Sequence, residues 1–66
     1  MSDGRSLRVL IAEDDYLVSE MVRGLLGELH HTVAGVANTG HDAVAMVARL
    51  QPDVVLMDIR MPDMDG

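Results

Sequence analysis

Two stretches of this 66-residue chain are apolar without alternation, Val9-Leu10-Ile11-Ala12 and Val54-Val55-Leu56-Met57, and both run straight into carboxylates. A strand with one wet face alternates polar and apolar residues. An unbroken run instead suits a strand covered on both faces, the usual condition of a parallel sheet wrapped by helices. The first run, from Arg8 to Ala12, is followed by Glu13-Asp14-Asp15, and the last, over residues 53–58, closes on Asp58. Between them residues 32–37, Thr-Val-Ala-Gly-Val-Ala, are β-branched or small and read as a third strand.

The spacers carry helical periodicity. Leu17, Val18, Met21, Val22, Leu25, Leu26 and Leu29 recur at the i, i+1, i+4, i+5 spacing of one face, while Ser19, Glu20, Arg23 and Glu28 fall elsewhere. This spacing predicts an amphipathic helix that buries the first set. Asp14 and Asp15 are both candidate caps for its first turn, Gly24 and Gly27 weaken it, and His30-His31 ends it. Asn38-Thr39-Gly40 turns the chain, and Asn38 or Thr39 caps a second helix. Ala43, Val44, Val47, Ala48 and Leu50 mark its buried face and Pro52 closes it. Residues 1–6 read as a disordered leader and 59–66, with Pro62, as a loop. Strand, helix, strand, helix, strand implies parallel pairing, right-handed crossovers and an α/β layer fold.

Composition narrows what such a fold can bind. Eleven acidic side chains against five basic ones, all arginine, leave a formal charge of −6. That balance argues against direct contact with nucleic-acid phosphates and favours cations or basic partners. There is no cysteine, so no disulfide, and Tyr16 is the only aromatic, so the core must be Val, Leu, Ile, Met and Ala. The N-terminal residues lack the apolar stretch of a signal peptide, and no apolar run approaches the ~20 residues of a membrane span. A cytoplasmic location, away from membranes, is the expectation.

In open parallel sheets ligands bind beyond the carboxyl ends of the strands. If the first and third strands are neighbours, Glu13, Asp14 and Asp58 converge there. Strands ~4.8 Å apart would bring those charges into strong repulsion. Two remedies exist: a carboxyl kept protonated by a raised pKa, or a hard divalent cation, for which an all-oxygen site suits magnesium. Asp15, Asp42, Asp53, Asp63 and Asp65 read as helix caps or loop solvators. Asp63-Met64-Asp65-Gly66 is no EF-hand loop, since Met61 stands where an acid is needed. His30, His31 and His41 lack metal-ligand spacing and read as solvated, Met21, Met46 and Met57 as packing, and Tyr16 as packing at the helix start.

The segments Val-Leu-Ile-Ala-Glu-Asp-Asp at 9–15 and Pro-Asp-Val-Val-Leu-Met-Asp-Ile-Arg-Met-Pro-Asp-Met-Asp-Gly at 52–66 resemble the receiver domain of two-component response regulators. The resemblance runs from Leu7 onward. It implies a flavodoxin-like, doubly wound parallel sheet, truncated here to strand-helix-strand-helix-strand, with residues 7–66 as the N-terminal half of the domain. Asp58 matches the aspartate that accepts a phosphoryl group from a histidine kinase or histidine phosphotransfer protein. Glu13 and Asp14 match the acidic pair that holds Mg2+ together with Asp58, and the backbone carbonyl of Arg60 matches a further ligand. Such a module is regulatory rather than an enzyme.

The resemblance also implies a five-stranded domain with Gly66 near its midpoint. The strand-four hydroxyl and strand-five lysine that contact the phosphoryl group in the family have no counterpart here. The third strand, internal in the family, would be an exposed apolar edge, which implies a homodimer as the ordered form. Two alternatives stand beside the phosphoacceptor. One is a non-catalytic fragment that associates through that edge. The other is a magnesium-dependent phosphohydrolase, which usually places a second aspartate two residues after the first, where this chain has Arg60.

Overall fold

The computed structural model describes residues 6–58. Its elements are β1 (Arg8–Ala12), α1 (Tyr16–Glu28), β2 (Thr32–Ala37), α2 (Gly40–Leu50) and β3 (Val54–Met57). They form one parallel sheet in the order β2-β1-β3, the truncated doubly wound arrangement expected. Ala12 lies opposite both Ala37 and Met57, so all three strands end level. The expected leader falls mostly on residues outside the described ones, and the loop at 59–66 lies wholly outside them.

β1 is the axis of the core. Val9, Leu10, Ile11 and Ala12 are all buried, as an unalternated central strand requires. Val9 and Ile11 face α1, packing with Leu26 and the half-buried Val22, Val33, Val36 and Val54. On the other face Ala12 packs with Ala37, Ala43 and Met46 of α2. At the opposite end of β1, Arg8 acts as a clamp. Its Nη1 donates to the carbonyls of Leu50 and Gln51, both at 2.9 Å, satisfying the orphan acceptors at the end of α2. Its N–H donates to Asp53 Oδ2 (2.8 Å), and the Asp53 N–H returns to the Arg8 carbonyl (2.8 Å), which fixes where β3 begins.

The faces that the helices bury differ from the periodic reading. On α1 only Ser19 and Leu26 are buried. Leu17, Met21, Leu25 and Leu29 stay 57–72% exposed, and Tyr16 is exposed too. Apolar residues occupy a broad arc of α1, and periodicity cannot say which part of that arc meets the sheet. Ser19 takes the contact because it is small and because its hydroxyl donates to the Tyr16 carbonyl at 2.8 Å, leaving nothing unsatisfied. On α2, Ala43 is buried and Met46 and Leu50 half-buried, whereas Val44, Val47 and Ala48 are exposed. Met57, at the sheet edge, is exposed rather than packed. His31 is half-buried, and its Nδ1 accepts from the Leu7 N–H at 3.1 Å. His30, just past α1, takes the left-handed conformation (φ 67°) that lets the chain turn back.

Gly35 is a point of close approach. The pairing of β1 with β2 slips by one residue between Val9 and Leu10. A Cβ on Gly35 would lie 2.6 Å from Met46 Cε and 3.1 Å from Leu50 Cδ1. Both neighbours are ends of flexible side chains, so Gly35→Ala should be close to neutral. Gly35→Val should destabilise by about 1–3 kcal/mol through overpacking, read from urea midpoints at unchanged slope.

Candidate metal centre

The level ends of β1 and β3 set the site. Past Ala12, the Glu13 N–H donates to the Ala37 carbonyl at 2.9 Å, tying that residue to the end of β2. Past Met57, the Asp58 N–H donates to the Ala12 carbonyl at 3.0 Å, tying it to the end of β1. Two main-chain hydrogen bonds thus carry the sheet ladder one residue beyond the strands, onto the two carboxylate-bearing residues.

The side chains of Glu13, Asp14 and Asp58 consequently converge, each offering a carboxylate oxygen, with all these atoms within 4.8 Å of one another. Glu13 and Asp58 are half-buried and Asp14 is exposed. Beside them lies an open groove of about 300 Å3, walled by Ile11, Ala12, Val22, Leu56 and Met57 and lined also by Glu13 and Asp58. One side of the site is therefore apolar. The Arg60 carbonyl, the fourth expected ligand, falls outside the described residues.

Asp15 stands apart from the trio. It is the N-cap of α1, with Oδ1 accepting from the N–H groups of Leu17 and Val18. The capping role that the sequence left open between Asp14 and Asp15 thus falls to Asp15, and Asp14 joins the cluster. The Asp15 N–H in turn donates to Glu13 Oε2 at 3.1 Å, a contact the sequence does not reveal. Asp53 is spent on Arg8, and Thr39 rather than Asn38 caps α2, accepting from the Asp42 N–H at 3.0 Å.

The crowding registers on Glu13. The hydrogen bond from the Asp15 amide is the largest single influence on its carboxyl and lowers its pKa. Desolvation, the charges of Asp58 and Asp14 and a hydrogen bond with Asp14 act together in the other direction and leave it above the ordinary glutamate value. The donor set fits a hard divalent cation: it is all oxygen, carries excess negative charge and has no nitrogen or sulfur ligand. Magnesium binds oxygens at about 2.1 Å, so its ligands lie about 3–4 Å apart, within a small closure of the observed spacing.

Comparison with known proteins points to one family. Residues 9–66 match the response regulator receiver domain. Among curated relatives, protein-glutamate methylesterase/protein-glutamine glutaminase 2 of Anaeromyxobacter dehalogenans is 48% identical over 63 residues, covering 94% of this chain and 18% of the relative. The chemotaxis protein CheY of Thermotoga maritima is 41% identical over 59 residues, 89% of this chain and 49% of the relative. The uncharacterized transcriptional regulatory protein YxjL of Bacillus subtilis is 41% identical over 61 residues, 91% of this chain and 28% of the relative. The chain thus spans from under a fifth to about half of the length of these relatives.

A raised carboxyl pKa has a definite sign in stability. The folded chain holds the Glu13 proton more tightly than the unfolded chain does. The ionised form therefore opposes folding at neutral pH, and this opposition fades as pH falls through the raised value toward the ordinary 4.5. Without metal, the wild type should gain stability relative to Glu13→Gln as pH falls from neutral through the raised value to the ordinary 4.5. Paired urea titrations of the two proteins check this, and parallel pH profiles would contradict it.

Proposed function

The chain belongs to the response regulator receiver domain family, and from that premise we propose that it is the phosphoacceptor module of a two-component phosphorelay, with Asp58 as the acceptor. The observation that carries this reading is the meeting of Asp58 with Glu13 and Asp14 at the carboxyl end of the sheet. The family is regulatory, and the matches to the methylesterases cover only their receiver part.

In this reading a carboxylate oxygen of Asp58 attacks the phosphorus of a phosphohistidine on a histidine kinase or phosphotransfer protein. The new O–P bond forms as the P–N bond breaks, and the bonding pair leaves on the imidazole nitrogen. Asp58 then carries a mixed carboxylic-phosphoric anhydride. The Asp58 main chain is held by Ala12, so the nucleophile is presented from a fixed strand end. Glu13 and Asp14, with Asp58 and the Arg60 carbonyl, are the residues that would hold Mg2+. When bound, that ion offsets the negative charge which three carboxylates and an incoming phosphoryl group would otherwise concentrate. The groove beside Asp58 presents the apolar side chains of Val22, Leu56 and Met57 on one side of the site.

Residues 7–66 would form the N-terminal half of such a domain. A cytoplasmic setting follows from the donor, and no described helix is long and apolar enough to cross a membrane. The excess of acidic residues turns the chain away from nucleic acid and toward basic partner surfaces.

A second reading is favoured by one observation: among the described residues β3 lies at the sheet edge, and its Leu56 and Met57 are 41% and 38% exposed. Such an edge recruits another strand, and a second copy of the chain is the occupant tested most directly. Sedimentation over a concentration series should show mass rising to that of two chains. A folded monomer at every concentration would remove this reading and leave the first untouched.

For the first reading, incubation with magnesium and a small phosphodonor should add one phosphoryl group to the intact mass. Asp58→Asn should abolish it, because an amide lacks the nucleophilic oxygen anion, while changing stability by less than about 1 kcal/mol. Retained labelling in Asp58→Asn would place the acceptor elsewhere.

A further inference from the structure

Asp15 lies outside the carboxylate trio yet touches it. Its Oδ1 is committed to α1, accepting from the Leu17 N–H at 2.9 Å and the Val18 N–H at 3.2 Å. Its carbonyl accepts from the Ser19 N–H at 3.0 Å, and its backbone (φ −94°, ψ 115°) is extended, as a cap residue must be. In that conformation its own N–H points back and donates to Glu13 Oε2 at 3.1 Å. Glu13 is then held from two directions, its main chain by β2 and its carboxylate by the residue that starts α1.

We infer that Asp15 is a positioning residue for the cation site: by capping α1 it aims its amide at the Glu13 carboxylate, and it does not itself ligate the ion. The inference rests on the reading of Glu13, Asp14 and Asp58 as the residues that hold magnesium. Its physical basis is preorganisation. A free glutamate side chain gives up torsional freedom when it binds a cation, and one already oriented by an amide gives up less. Outer partners that orient ligands commonly carry a tenfold or larger share of metal affinity. The arrangement also couples the start of α1 to the site, since fraying of the first turn releases both Leu17 and Val18 from the cap and Glu13 from the amide.

Magnesium chloride titrated calorimetrically into the full 66-residue chain tests this, with helicity followed by circular dichroism. Asp15→Ala should weaken magnesium binding about tenfold. Asp15→Asn keeps an oxygen that caps but removes the charge, and should bind within about twofold of wild type. To separate positioning from loss of helix, Gly24→Ala and Gly27→Ala are added to Asp15→Ala. Neither new Cβ meets anything within 4 Å, so both should restore helicity without restoring affinity. Unchanged affinity in Asp15→Ala overturns the inference, as does equal weakening in Asp15→Asn, which would mark a charge effect. Recovery of affinity together with helicity overturns it too. Glu13→Gln and Asp14→Asn test the underlying reading separately: if the wild type binds magnesium and those variants bind it equally well, the ligand assignment fails whatever Asp15 does. A wild type that takes up no magnesium overturns both.

Discussion

Parallel sheets are covered on both faces, and among the described strands β1 is the one hydrogen-bonded along both edges and packed on both faces. Everything else is placed by reference to it. β2 and β3 take its two edges and end level with it at Ala12, and α1 and α2 take its two faces, centred on Ile11 and Ala12. Arg8 and Asp53 lock one end of this arrangement by reciprocal main-chain and side-chain bonds, and Arg8 joins α2 to it through the Leu50 and Gln51 carbonyls. At the other end, that alignment emerges as three carboxylates with oxygens within 4.8 Å of one another.

The site therefore opposes the fold that builds it. Packing β3 against β1 gains hydrogen bonds and buries apolar surface, and it brings Asp58 up to Glu13 and Asp14 at a cost that appears in the raised Glu13 pKa. A small apolar core without aromatic side chains has little surplus to absorb such repulsion. A cation that bound only the folded chain would relieve it and would link occupancy to stability. Asp15 shows how the same short run of acids divides the work. One carboxylate caps a helix and two converge with Asp58, according to where the backbone turns after Ala12.

How far the sequence could be read differs by element. The three strands stand where the apolar runs put them, because an unalternated run flanked by polar residues has few other ways to be buried. Helix positions were equally legible, down to the capping choice at Asn38-Thr39 and Asp14-Asp15, where two adjacent residues offered the same chemistry. The buried face of α1 was not. Leu17, Met21 and Leu25 satisfy helical periodicity as well as Leu26 does, and only the presence of the sheet selects Leu26 and the small Ser19. His31 likewise gave no sign of its bond to Leu7, which exists because β1 and the end of α1 meet in space.

Taken alone, the sequence determined the α/β class, the alternation of strands and helices, and the presence of carboxylates at two strand ends, since these follow from local pattern and chain length. The resemblance to the receiver family came from the same residues. Tertiary structure decided which strands are neighbours, and with that whether Glu13, Asp14 and Asp58 meet at all. It also decided which acid caps and which joins the cluster, and how Glu13 responds to the charges around it. Those outcomes depend on distances between segments more than forty residues apart in sequence, fixed by pairing and packing that no local pattern encodes.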